Sequence, residues 1–175
     1  MTVFGAVAVV AVATGAVFAV GGSAGSPVPS GSPPPGSQPL SALPPVTGAF
    51  ESNDGTPIED GKSLTDVLDQ DIGCVSGADV VYATNGDFSV FTASLGLDDH
   101  SLYPGDTPEV RIYGDGRLLG SYRAAPARTT PVKVHVRIAG VNLLKFTWSY
   151  PATAAHAGSA CRPVSTLLIG APLLE

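Results

Sequence analysis

The first fifty residues contain no aspartate, glutamate, lysine or arginine. A soluble domain surface of that length without a charge is excluded, so the globular part begins near Phe50. Bases are almost missing from residues 51–109, where Lys62 stands alone against thirteen acids, and acids are almost missing from 110–175, where two face eight bases. Two consequences stand side by side: strands from the two halves interleave and screen one another, or the acids form a surface for a cation or a basic partner. A nucleic-acid partner is excluded, because no Lys/Arg cluster with interleaved aromatics occurs and the net charge is −6. Cysteine is scarce as well. The only two are Cys74 and Cys161, and without a histidine at ligand spacing they make a poor zinc site.

What is present divides the chain into three. Residues 3–20 are Ala, Val, Gly and Phe with one Thr, long enough as a helix to cross about 30 Å of hydrocarbon. The segment reads as a signal anchor, or as a signal peptide cut near Gly22-Ser23-Ala24; a buried soluble helix is the remaining alternative. No base precedes it, so its orientation is not set by flanking charge. Residues 23–48 read as a Gly/Ser/Pro spacer too proline-rich to pack, and 49–175 as one domain. Either fate of the first 22 residues places that domain outside the cytoplasm, tethered to the cell membrane or secreted.

Some motif-like runs lack the context their chemistry needs. Residues 21–25 match the G-x-S-x-G pattern of nucleophile elbows, but the serine sits between an apolar segment and prolines rather than between a strand and a helix. Gly61-Lys62-Ser63 ends like a phosphate-binding loop, yet Thr56 occupies the required glycine position and Glu59 and Asp60 would repel phosphate. Ser63 to Asp66 instead resembles a helix N-cap, with Leu64, Val67 and Leu68 as the face of one or two turns. Cys74 and Cys161, in an exported chain, predict one disulfide, the alternative being two buried free thiols.

After Cys74 the strand signals come in series. Residues 78–83 and 88–97 flank Asn85-Gly86, which predicts a hairpin. Residues 109–113 and 117–123 flank Gly114-Asp115-Gly116, a second hairpin turn. Val132, Val134, Val136 and Ile138 alternate with Lys133, His135 and Arg137, so one face is core and His135 lies on the surface. Leu144, Phe146 and Trp148 follow, and residues 164–169 close the series. The fold class is all-β, an antiparallel sandwich.

The succession F-T-A-S-L-G-L-D-D from Phe91, V-R-I-Y-G-D-G from Val110 with Leu118, then residues 132–136, Ala139-Gly140-Val141 and Leu143-Leu144, resembles the NPCBM family of carbohydrate-binding modules. The resemblance covers roughly residues 73–172 and implies a jelly-roll or galactose-binding-like sandwich that binds a carbohydrate, such as a cell-wall glycan, without catalysis. Residues 62–77 lack the Gly-Lys-aromatic and Gly-Leu-Gly pieces of the family's sugar-facing edge. The alternative is therefore a protein-interaction or sensor ectodomain that kept the sandwich and lost the pocket.

Sugar sites use an aromatic plane beside hydrogen-bonding groups, which nominates Tyr103, Trp148 and Tyr150. Trp148 shares the face of Leu144 and Phe146 and reads equally as core, while Tyr103 lies in a polar loop and is expected to be exposed. Asp98, Asp99 and Asp106 could hold calcium, or could serve loop chemistry through backbone hydrogen bonds. No other cofactor is implied. Catalysis is disfavoured: Asp98 and Asp99 are adjacent rather than opposed across a cleft, and His100, His135 and His156 lie in no nucleophile motif.

Overall fold

The computed structural model describes residues 36–50, 56–72, 79–149 and 165–175. Among them the chain is built of strands with one 3-10 turn, Leu40–Ala42. The strands are β1 (Gln38–Pro39), β2 (Pro45–Thr47), β3 (Ile58–Glu59), β4 (Lys62–Ser63), β5 (Val67–Ile72), β6 (Asp79–Ala83), β7 (Val90–Leu97), β8 (Glu109–Gly114), β9 (Arg117–Arg123), β10 (Val132–Arg137), β11 (Leu143–Ser149) and β12 (Ser165–Leu174). One sheet runs β12-β7-β10, with β5 and β1 sharing the outer edge of β12; the other runs β2-β6-β11-β8-β9. Every ladder is antiparallel, and β3 and β4 form a separate hairpin.

The two sheets close on one core because their strands alternate. Phe91, Ala93, Leu95 and Leu97 of β7 face Val80 and Tyr82 of β6, Val110 and Ile112 of β8, and Leu144, Phe146 and Trp148 of β11. Phe146 is its hub, with edge-on contacts to Phe91 at 5.3 Å and Tyr82 at 6.1 Å between ring centroids. Burial pushes the Tyr82 phenol up to about 12. Full burial of such side chains stabilises the fold by about 1.5–3 kcal/mol each.

Three expectations change. The expected spacer is not spacer to its end: residues 38–47 contribute β1, β2 and the buried Leu40, with Leu43 packed on the core. Pro39 and Pro45 are tolerated because both sit in edge strands, where a missing amide breaks no central ladder. The expected helical turn around Leu64, Val67 and Leu68 is instead β5, paired from Ile72↔Ser165 to Val67↔Gly170 with β12. Tertiary pairing overrides a local pattern that fits either period. Asn85-Gly86 makes the tight turn its residue types favour, at φ 52° and 78°, but it does not close a hairpin. It carries the chain from β6 in one sheet to β7 in the other, and the amides of Thr84 and Gly86, both at 2.8 Å, bond the carbonyls of Asn142 and Val141. Turn chemistry specifies the bend, not which strands pair.

The Gly114-Asp115-Gly116 hairpin forms as expected between β8 and β9, with φ 48° at Asp115 and 81° at Gly116. The Asp115 carboxylate also accepts the amides of Asn142 and Leu143, which ties this turn to the start of β11. No helix among the described residues is long and apolar enough to cross a membrane. The apolar segment at residues 3–20 lies outside them, as do Cys74, Cys161 and Tyr150.

Candidate functional site

The corner where β7 ends is held by two carboxylates. Asp98 is buried; one of its oxygens accepts the Ile58 amide at 2.8 Å and the other accepts the His100 amide at 2.8 Å. Asp99 accepts the Gly61 amide and the Arg128 amide, both at 2.8 Å, and its own amide donates to the Ile58 carbonyl. These two residues fasten the β3–β4 hairpin and the 124–131 connection to the end of β7. The charged acceptor makes each of the two part-buried bonds of Asp98 worth about 1.5–3 kcal/mol, while the two exposed bonds of Asp99 contribute less. Of the two readings available for Asp98 and Asp99, calcium ligands or loop fasteners, the geometry matches the second. Among the described residues no three His, Cys, Asp or Glu side chains gather into a group able to hold a metal, so Asp98, Asp99 and Asp106 are not brought together as ligands.

The hairpin lies over a hollow floored by glycine. A Cβ at Gly96 would fall 2.3 Å from Glu59 Oε1, and one at Gly170 would meet Ser94 Oγ at 2.6 Å. Glu59 fills that hollow and is 4% exposed. Ser94 donates to one carboxylate oxygen at 3.5 Å, and the other has no partner. Burial pushes the Glu59 carboxyl up to about 7, against the opposing pull of Lys133 and Ser94 and with help from Asp99 and Asp60. Sequence reading saw Glu59 only as a repeller of phosphate. Its signal was a glutamate two residues into a short hairpin, which does not stand out without the two distant glycines.

The loop of residues 98–108 stands on this corner. The Asp98 oxygen that accepts the His100 amide also lies 3.0 Å from His100 Nδ1, while the imidazole is 73% exposed. A carboxylate only accepts, so Nδ1 carries a proton in this contact, and Asp98 fixes the orientation of the exposed ring. Farther along, Ala127 donates to the Pro104 carbonyl at 2.9 Å and Asp106 to the Tyr103 carbonyl at 3.2 Å, so the turn is braced rather than loose. Leu102 at its tip is 72% exposed, and Tyr103 is half-buried, not fully exposed as expected.

Trp148 is removed from the list of ligand candidates. It is 3% exposed, on the inner face of β11, and stacks on Phe50 at 5.5 Å. The strand period that carries Leu144 and Phe146 inward carries Trp148 with them. Tyr150 falls outside the described residues. The residue that sequence reading passed over is His100, considered only for nucleophilic chemistry; its spacing of two from a buried aspartate was the available clue.

Comparison with known proteins converges on one group. The family model of the NPCBM/NEW2 domain matches residues 45–156. Among solved structures, the chain is similar to the tandem CBM51 modules of a family 98 glycoside hydrolase from Streptococcus pneumoniae, with 17% identity and a TM-score of 0.57 over 79% of this chain and 46% of that one. It is similar to a CBM51 from Clostridium perfringens GH95 in complex with methyl-galactose, with 22% identity and a TM-score of 0.56 over 79% of this chain and 99% of that one. A C. perfringens ZmpB structure of CBM51-2 with GlcNAc and INT domains gives 14% identity and a TM-score of 0.55, over 79% of this chain and 31% of that one. The chain thus spans under half of the first and third of these. No curated protein shows significant similarity to it.

Proposed function

The chain belongs to the NPCBM/NEW2 domain family, and from that premise we propose that it is a non-catalytic carbohydrate-binding module displayed outside the cytoplasm. The observation that carries the reading is the exposed His100 ring, held by buried Asp98 on a braced loop that also carries Tyr103. A fixed, exposed imidazole and an aromatic residue on one loop supply the two kinds of group, a hydrogen-bonding atom and an apolar plane, that a sugar hydroxyl and ring face require. The methyl-galactose and GlcNAc complexes of the similar CBM51 structures support a glycan as ligand. Against catalysis, Asp98 and Asp99 are both engaged by backbone amides, whereas glycoside hydrolysis needs two carboxyls about 5–9.5 Å apart across a cleft.

Affinity electrophoresis of the full chain through gels holding galactan, chitosan or cell-wall polysaccharide tests the reading. Retardation that is lost in His100→Ala supports it, and the absence of retardation by every glycan removes it. A protein-interaction role is favoured by one observation, that Trp148 offers no aromatic plane to a ligand. A pulled-down protein whose binding is lost on Leu102→Asp, with no glycan retained, would decide for that role.

Two parts of the proposal concern residues beyond the described ones. Residues 3–20 act as the tether or the export signal, which membrane fractionation with alkaline extraction checks. Cys74 and Cys161 form a disulfide. The Ile72↔Ser165 pair brings the chain two residues before one cysteine beside the chain four residues after the other. Alkylation without reductant leaves the mass unchanged if the bridge is present and adds two labels if it is not.

A further inference from the structure

Two edge strands carry positive charge alone. β9 and β10 contain Arg117, Arg123, Lys133, His135 and Arg137 and no aspartate or glutamate. On β10 these alternate with the buried Val134 and Val136, so Lys133, His135 and Arg137 all stand exposed on the outward face. Side chains two apart on a strand are separated by about 7 Å, which makes a row about 14 Å long from Lys133 to Arg137. Beside the row on the same face, β7 contributes their ladder partners Ser94, Thr92 and Val90, none of them acidic.

β10 has no strand on its other side. The neighbouring edge belongs to β9 of the second sheet, from which the Tyr122 hydroxyl donates to the His135 carbonyl at 3.4 Å. The ion pairs among the described residues are Arg111–Glu109, Lys145–Asp79 and His100–Asp98, so Lys133 and Arg137 are in none of them. Acids stand at both ends of the row, with Asp60 and Asp99 close enough to Glu59 to act on it at the Lys133 end. Glu59 feels Lys133 at one end, and Glu175, whose backbone pairs with Val90, lies toward Arg137 at the other. The row is also continuous with the candidate site, since Asp99 holds the Arg128 amide in the connection that leads into β10.

We infer that the outward face of β10 is a docking strip for an anionic glycan strand, with Lys133 and Arg137 pairing with its carboxylate or sulfate groups and His135 between them. The inference rests on the carbohydrate-binding reading and names the class of glycan. Charge complementarity selects this occupant: the row is positive within a chain of net charge −6, so it offers a polyanion a local attraction that the chain as a whole does not. A neutral glycan has no use for the row. The guanidinium of Arg137 can grip a carboxylate or sulfate with two parallel hydrogen bonds.

The test is affinity electrophoresis of the full chain in polygalacturonate, in dextran sulfate and in neutral dextran and galactan, at 50 and 300 mM salt. Both anionic gels, or the carboxylated one alone, should retard the wild type, and salt should relieve the retardation. Lys133→Gln with Arg137→Gln should weaken it about tenfold, two modest surface contacts being enough for that factor. His100→Ala should retain the salt-sensitive component. The two glutamines replace exposed side chains, and an unchanged melting temperature shows that the variant is folded. Retardation by neutral glycans alone overturns the strip and leaves the carbohydrate reading standing, whereas retention by no glycan overturns both. Equal retardation of wild type and double variant overturns the strip, as does binding to vesicles rich in phosphatidylglycerol with none to either polyanion.

Discussion

The corner at the end of β7 and the edge formed by β9 and β10 are treated oppositely by the fold. At the corner, Asp98 and Asp99 together accept four backbone amides, and Glu59 is pressed into a hollow floored by glycine. Along the edge, Lys133, His135 and Arg137 alternate with core valines and reach into solvent. Negative charge is therefore built into the architecture, and positive charge is placed on its surface. Substitution at the corner should cost stability and leave long-range charge effects small; substitution at the edge should do the reverse.

The largest effect is expected at Asp98. Asp98→Ala removes the acceptor of the Ile58 and His100 amides and leaves the former without a partner in a partly buried place. A loss of about 3–5 kcal/mol should follow, read as a lower urea midpoint at unchanged slope. Asp98→Asn should recover part of it, since an amide oxygen can still accept one bond. If Asp98→Ala proves neutral, the corner is not held by its carboxylates and the contrast with the edge fails.

Next comes the pH response of Glu59. Its carboxyl is raised from 4.5 to about 7 in the folded protein. The unfolded chain releases this proton near 4.5 and the folded chain only near 7, so the contribution is complete below about pH 4.5 and is lost as pH rises from there to about 7. The expected fall over that window is about 1–3 kcal/mol. Glu59→Gln keeps the shape and removes the titration, so its denaturation midpoint should stay flat where the wild type declines. Parallel pH profiles for the two proteins would mean that the hollow is wetter than its glycines imply.

Gly96→Ala probes the same hollow from below. The new methyl would lie 2.3 Å from Glu59 Oε1, so the side chain or the whole β3–β4 hairpin must lift. The expected cost is about 1–3 kcal/mol, the range for overpacking a filled site. Because Glu59 is the obstacle, Gly96→Ala combined with Glu59→Ala should be less destabilised than the sum of the two single variants, a deviation that a double-mutant cycle measures.

These residues also mark where sequence reading succeeds. Period-two alternation located β7, β8, β10 and β11 closely, because each sends alternate residues into the core; β9, which has no buried residue, was located by the Gly-Asp-Gly turn before it. It failed at β5, whose Gln70 and Asp69 are buried at the β12 edge and break the alternation. It failed at Asn85-Gly86 because a tight turn is compatible with a hairpin and with a crossing between sheets. It also missed β1 and β2, since Pro39 and Pro45 signal a spacer as strongly as an edge strand.

The site was legible only in part. The D-D pair announced the corner, and loop fastening was one of its two readings. His100 and Glu59 were hidden because their roles depend on partners far along the chain: Glu59 on Gly96 and Gly170, and the His100 corner on Ile58 and Arg128. Trp148 was ambiguous for a simpler reason. A large aromatic residue at a period-two position satisfies both a core and a sugar platform, and only the presence of Phe50 on its ring decides between them.

The smallest expected effect lies where the two regions meet. Lys133 belongs to the edge, yet its charge reaches Glu59 at the corner and holds that carboxyl lower than burial alone would. Lys133→Gln should change stability at pH 4 by no more than about 0.5 kcal/mol, as for other exposed side chains. At pH 7 it should destabilise further, because the Glu59 carboxyl moves upward when its one nearby cation is removed. The upper end of the pH window should shift to higher pH in Lys133→Gln and stay in place in Arg137→Gln, whose side chain lies four residues farther along β10. Equal shifts in both variants would mean that the edge acts on the corner as a diffuse field, and that the two regions are less separate than the hydrogen bonds of Asp98 and Asp99 make them.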